Sequence, residues 1–206
     1  NSCDEYRRKG NMGLDRIDVI ITKSGHIEVK DNGGLPVKIH KTAGIYLPEF
    51  IFGQLRTSSN YNDTEERHVT GTNGLGSKIC NVLSSKFEVA CADGHKSYYR
   101  SWENNMEFMN DDMVVEQCNE HYVHIKFDID FTKFECGTEL SDDFIDLIEK
   151  RCIDAAAANP GLTVVFTYKD GKKNVRKNNW HFRKFEQYIE LYSDFIDIND
   201  NVKFAD

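Results

Sequence analysis

Between Val69 and Phe87 the chain reads VTGTNGLGSKICNVLSSKF, with Gly74 and Gly76 flanking one residue, Asn73 before them and Ser77 and Lys78 after. An amphipathic pattern begins at Ile79. A glycine loop running into a helix N-terminus lets backbone N–H groups approach an anion, and the helix dipole favours negative charge there. Lys78 adds a point charge at the same place. Three other groups could complete a nucleotide site. In Asn1-Ser2-x-Asp4-Glu5 the Asn carbonyl is a hard oxygen ligand suited to Mg²⁺; alone, the run reads as a polar helix end. Asp31, before Gly33 and Gly34, could accept a hydrogen bond from an adenine amino group, the glycines letting the base come close; alone, it is a hairpin-exit turn. Thr57-Ser58-Ser59-Asn60-Tyr61 could meet ribose and phosphate; alone, it is a solvated loop. The pattern Gly71-x-x-Gly74-x-Gly76 fits neither GxxxxGK[ST] nor GxGxxG.

These groups need elements to hold them. Asn1 to about Lys9 reads as the end of a helix closed near Gly10 and Gly13. Ile17, Val19 and Ile21 alternate with polar residues as a half-buried strand, Lys23-Ser24-Gly25-His26 is a turn, and Ile27 and Val29 start the return strand. Asp31-Asn32-Gly33-Gly34-Leu35-Pro36 then breaks the pattern. Tyr46 to Leu55 looks helical, and Thr57 to Arg67 reads as a long mobile loop. Ile79, Val82 and Leu83 sit at helical spacing. Strands are expected around Phe87–Cys91, Ser97–Trp102 and Tyr122–Ile129. Ser141 N-caps a helix to about Ala158, stopped by Asn159-Pro160-Gly161. Leu162 to Tyr168 is a strand, Asp170-Gly171 a hairpin turn, and Trp180 to Tyr192 looks helical. Strands segregated from helices predict an α+β, two-layer sandwich: a mixed, mainly antiparallel sheet with helices on one face. Regular strand–helix alternation, which a doubly wound sheet requires, is absent.

Composition narrows the classes. With 206 residues the chain suits one domain, or one and part of a second. A hydrophobic content of 39% supports a core. No run approaches a membrane span and no signal segment is visible. The first residue is Asn rather than Met, which predicts a piece of a longer protein. A formal net charge of −8 argues against a primary DNA-gripping surface, which needs a basic patch. The six scattered cysteines form no CxxC pair, so zinc is not expected, and mostly buried, reduced thiols of an intracellular protein are.

The order of the chemical groups is more specific than any one of them. Asn on a helix, then Asp-x-Gly after a hairpin, then GxxGxG opening a helix is the signature of the gyrase, heat-shock chaperone, histidine kinase and MutL ATPase superfamily. LPEFIFGQLRTSSNYND followed by VTGTNGLGSKICNVLSSKF closely resembles the ATPase region of type IIA DNA topoisomerases of the eukaryotic and large-phage kind, and RSWENNM and FDIDFTKFE resemble it too. The resemblance runs from Asn1 to about Lys173. It implies a Bergerat-type ATP-binding fold, ATP and Mg²⁺ as cofactors, and double-stranded DNA as the partner of the full-length enzyme. It also implies a homodimer or multi-subunit assembly without a membrane, located in the nucleus or a host cell's cytoplasm. Asn1 looks like the Mg²⁺-binding Asn and Asp31 like the adenine-binding acid. Ser58, Ser59 and Asn60 look like the trio on ribose and phosphate, and Asn73, Gly74, Leu75, Gly76, Ser77 and Lys78 like the loop that wraps the triphosphate. A MutL-like or chaperone ATPase shares the constellation but not the TSSNY and NGLGSK-x-CN segments.

The departures are specific. The family's water-activating Glu lies one turn before its Asn, so the general base is expected upstream of Asn1. The transducer Lys is expected beyond Asp206. Asp31-Asn32-Gly33-Gly34 is one residue shorter than the usual Asp-x-Gly-x-Gly, and a usual glycine pair is reduced to Gly71; both changes would loosen the pocket. The expected division is residues 1–173 as the ATP-binding domain and 174–206 as the start of the transducer region. The expected function is ATP-driven dimerisation that passes one duplex through a transient break in another. The alternative is a module that holds nucleotide without turnover. Lys172, Lys173 and Lys177 form a basic hairpin that reads as a solvated face.

Overall fold

The computed structural model describes residues 1–9, 13–54 and 75–193. The first helix, α1 (Ser2–Lys9), precedes the expected hairpin of β1 (Arg16–Thr22) and β2 (His26–Asp31), paired antiparallel from Ile17 opposite Asp31 to Ile21 opposite Ile27. Two short helices follow, α2 (Leu47–Gly53) and α3 (Gly76–Val82). Next come β3 (Ser84–Asp93), β4 (Lys96–Glu103), β5 (Phe108–Met109), β6 (Val114–Gln117) and β7 (His121–Ile129). After α4 (Asp142–Ala157), the hairpin β8 (Thr163–Asp170) and β9 (Lys173–His181) leads to α5 (Glu186–Glu190).

All these strands form one sheet in the order β5-β4-β3-β7-β2-β1-β8-β9, with β6 beside β4. The β1–β8 pair is parallel and the others are antiparallel. A parallel pair needs a crossover, and α4 supplies the last step of it, returning the chain to β8 beside β1. Alternation sends Ile17, Ile21, Ile27, Val164 and Phe166 to one side, where they pack with Tyr6 of α1 and with Ile145, Cys152 and Ala156 of α4. On the same face Phe87 and Val89 meet Phe52 of α2, Cys80 of α3 and Trp102. The helices therefore share one face of a mixed, mainly antiparallel sheet, as expected.

Helix α4 begins where the sequence places it: the Ser141 Oγ accepts the Phe144 N–H at 3.2 Å. Replacing Ser141 by Ala should lower stability by about 1 kcal/mol, read as a shift of the urea midpoint at unchanged slope.

Several expectations change. Trp180 is not helical: it lies in β9 opposite Val164, and only Glu186–Glu190 of the expected helix forms. The hydrogen-bond ladder with β8 outweighs a short apolar spacing that mimics a helical period. Helix α3 turns the other way from its apolar pattern, with Ile79 and Val82 exposed by 52% and 40% while Lys78 and Asn81 are buried. The short strands β5 and β6 carry no sequence signal. They follow a left-handed turn at Asn104, Asn105 and Met106, where φ runs from 49° to 70°. The Asn105 side chain holds that turn by donating to Asp130 at 3.0 Å. The cysteines are free as expected, but Cys91 and Cys152 alone are fully buried and Cys136 is exposed. The proposed mobile loop from Thr57 to Arg67 lies outside the described residues.

Candidate nucleotide site

Asp31 ends β2 on the helix-covered face and is 6% exposed. Its Oδ1 accepts the Gly33 N–H at 2.9 Å and its Oδ2 accepts the Ser2 hydroxyl at 2.6 Å. The first bond is a turn closed on the residue's own side chain; the second joins the start of α1 to the end of β2 across 29 residues. The loop is held from three directions. The Asn32 Oδ1 accepts the N–H groups of Asp15 and Arg16, each at 3.1 Å, and its Nδ2 donates to Asp15 at 2.7 Å. The Val37 N–H donates to Asp93 Oδ2 at 2.8 Å, tying the far end of the loop to the β3–β4 turn. A Cβ on Gly33 would fall 2.5 Å from Leu14 Cδ1, and one on Gly34, where φ is +81°, 2.7 Å from the Ala92 carbonyl oxygen. The loop is one residue shorter than the family pattern and is nonetheless closed tightly.

The structure thus brings Asn1 and Asp31 together through Ser2. Asn1 is exposed, and its carbonyl oxygen accepts the Glu5 N–H at 2.9 Å, starting α1. Among the described residues its side-chain amide makes no hydrogen bond, which leaves the amide oxygen for a ligand. Among the described residues no cluster of three or more His, Cys, Asp and Glu could hold a metal. That donor set fits Mg²⁺ bound through one protein oxygen, waters and phosphates, and it does not fit a cation held by protein alone. Asp31 fits an adenine amino group: an ionised carboxylate offers about four acceptor sites, and two are occupied.

The second group comes from α3. Leu75 precedes its first turn, Gly76 and Ser77 open it, and Lys78 follows. Lys78 is 2% exposed, and burial pushes its ammonium down to about 8. Asn81, one turn on, donates to the Phe52 carbonyl at 3.4 Å, joining α3 to α2. Ser58, Ser59, Asn60, Asn73 and Gly74 lie outside the described residues. Ser2 and Asn32 are the site residues that the motif reading missed. The Ser next to Asn1 was part of the quoted run, but nothing local announces a bond to a residue 29 positions away.

An open cleft of about 420 Å³ lies at the Asp31 end of the sheet, lined by Arg16, Asp18, Lys30, Glu120, His121 and Tyr122 as well as Asp31 and Asn32. Arg16, Asp18 and Lys30 alternate with Ile17 and Asp31 and so sit on the uncovered face.

No protein-family model matches the chain. A probable DNA topoisomerase 2 of Dictyostelium discoideum is 37% identical over 196 residues, 93% of this chain and 12% of that protein. A putative mitochondrial DNA topoisomerase 2 of Caenorhabditis elegans is 37% identical over 201 residues, 94% of this chain and 16% of the relative. The chain thus spans only about an eighth of the curated relatives it matches. Among solved structures, the ATPase region of Saccharomyces cerevisiae topoisomerase II superposes with a TM-score of 0.81 at 32% identity, over 96% of this chain and 50% of that one. Sequence likeness over nearly the whole chain and a superposition over 96% of it agree: this chain belongs to the type IIA DNA topoisomerase family and corresponds to part of its ATPase region.

Proposed function

We propose that this chain binds ATP with Mg²⁺ as part of a type II topoisomerase in which nucleotide-driven closure of two subunits passes one DNA duplex through a break in another. The observation that carries the proposal is the Asp31 carboxylate: buried, aimed by Ser2 and Gly33, and still able to accept. It would take the adenine amino group. Asn1 would hold Mg²⁺, which neutralises phosphate charge when bound. Leu75, Gly76 and Ser77 would approach the phosphates, and Lys78 would place its ammonium where negative charge develops at the γ-phosphate. Ser58, Ser59, Asn60, Asn73 and Gly74 complete the site by family resemblance. On this reading residues 1–173 are the ATP-binding unit and residues 174–206 start the transducer, although β9, which begins at that junction, pairs with β8 in the same sheet. Such an enzyme works where the DNA is, in the nucleus or a host cell's cytoplasm.

Calorimetric titration of the chain with ATP, with and without Mg²⁺, tests the reading. Binding that tightens with Mg²⁺ in the parent and loses that gain in Asn1→Ala is the expected result. The same Mg²⁺ gain in both would remove Asn1 from the site, and no ATP binding under any condition would overturn the function. Phosphate release under the same conditions separates an ATPase from a module that only holds nucleotide.

A further inference from the structure

The charge of this chain is unevenly spread. Residues 169–184 carry five Lys, two Arg and one Asp, a net charge of +6, so the other 190 residues carry −14 to give the total of −8. The hairpin β8–β9 concentrates these cations at one edge of the sheet. Strand β9 pairs with β8 alone, which makes it an edge strand among the described residues. The hairpin closes through the two residues Gly171 and Lys172, with Gly171 at φ +56°, so Lys172 and Lys173 project from its tip.

The cations divide into two kinds. Arg176 points to the helix side and is consumed within the fold, donating to Asp146 at 2.7 Å and to Glu149 at 2.6 Å. Lys172, Lys173, Lys177, Arg183 and Lys184 are exposed and meet no carboxylate among the described residues. Intramolecular ion pairing, which would explain a basic strand as a stabilising device, therefore explains Arg176 only. Lys residues on an edge also discourage pairing with another strand, yet that needs one or two charges rather than five unpaired ones.

We infer that the β9 edge, from Lys172 at the hairpin tip to Lys184 beyond its base, is a docking strip for the phosphate backbone of duplex DNA. Nine strand residues extend about 30 Å, close to the ~34 Å of one duplex turn. Asn174 and Asn179 lie exposed between the cations and can donate to phosphate oxygens. The strip has little else to read. Trp180 is partly buried and packs on the core cluster, and Val175 is its one exposed large apolar residue. A single strand would need exposed aromatic platforms, and an acidic protein partner would need an apolar anchor. The surrounding charge of −14 repels a duplex elsewhere, so it would be met edge-on. The strip's location stands on this geometry alone; the choice of duplex DNA rests on the function proposed above.

The test measures binding of a fluorescent 20-base-pair duplex to the whole chain, without nucleotide, from 50 to 200 mM NaCl. The triple variant Lys172→Glu/Lys173→Glu/Lys177→Glu is compared with a control triple of exposed lysines elsewhere, Lys38→Glu/Lys41→Glu/Lys133→Glu, with thermal melts confirming that both fold. The hairpin triple should raise Kd at least tenfold at 50 mM NaCl and flatten the plot of log K against log salt by about 0.9 for each lost phosphate contact; the control should change Kd less than twofold. Equal weakening by the two triples, or by neither, overturns the proposal. So does equal affinity for a single strand of the same length, or competition by polyglutamate at equal charge. Asp31→Ala should leave duplex binding intact, so a failure of the nucleotide site and a failure of the strip are read separately.

Discussion

Asp31→Ala should weaken ATP binding by about 100-fold while the protein stays folded. The wild-type carboxylate is buried, with Oδ1 held by the Gly33 N–H and Oδ2 by the Ser2 hydroxyl. Hydrogen bonds to charged groups contribute about 1.5–3 kcal/mol each, or about 10- to 150-fold in affinity. The upper part of that range applies here because Asp31 is already aimed and pays no ordering cost on binding. Truncation also leaves Ser2 and Gly33 without their acceptor, which should cost about 1–3 kcal/mol of stability. Two further variants separate these effects. Asp31→Asn keeps the shape and an acceptor for Gly33 but loses the charge, and should fall between Ala and wild type in affinity. Ser2→Ala keeps the charge but frees one oxygen to wander, and should weaken binding only several-fold. Calorimetry gives the affinities and a thermal melt gives the folded fraction. If folded Asp31→Ala binds ATP within twofold of wild type, Asp31 is a turn residue and the site lies elsewhere.

What could be read from the chain was what is encoded locally. The period-2 run of Ile17, Val19 and Ile21 and the Ser141 cap each act within a few residues and formed as expected, and the hairpin turn formed one residue on, at Gly171-Lys172 rather than Asp170-Gly171. The spacing of Trp180, Phe182, Phe185, Tyr188 and Tyr192 misled because aromatic residues at mixed intervals fit both periods; pairing with β8 decided for a strand up to His181. In α3, periodicity identified a helix but could not say which face turns inward, and the face carrying Lys78 and Asn81 does. The candidate site shows the same division. Asp31 was visible because glycines follow it. Ser2 and Asn32 were not, because their partners are set by how α1 and β1 meet the end of β2. The shortened glycine loop was expected to loosen the pocket. The loop itself is held, with Asn32 bonding to Asp15 and to Arg16 at the start of β1.

Lys78 leads to a result that depends on pH. Burial pushes its ammonium from the ordinary lysine range to about 8, so it is charged at pH 7 and mostly neutral by pH 9.5. Bound phosphates favour the charged form and would raise that value in the complex. ATP affinity is then highest below pH 8 and falls as pH rises, by up to about tenfold per pH unit between the free and bound values. A terminal phosphate loses its last proton near pH ~6, below this window, so the fall belongs to the protein. Lys78→Ala should weaken binding by about 10- to 100-fold at pH 7 and flatten the profile between pH 7 and 9.5. Stability moves in the opposite direction. A lysine whose folded value is depressed binds fewer protons in the folded chain than in the unfolded chain between about 8 and 10.5. Stability from this group therefore rises with pH across that window. Urea unfolding of the nucleotide-free chain at pH 8 and pH 10 should show that rise in wild type and not in Lys78→Ala. Opposite slopes for affinity and stability, both removed by one substitution, distinguish a phosphate-facing buried lysine from one that only packs. Parallel pH profiles for the two proteins would take Lys78 out of the site.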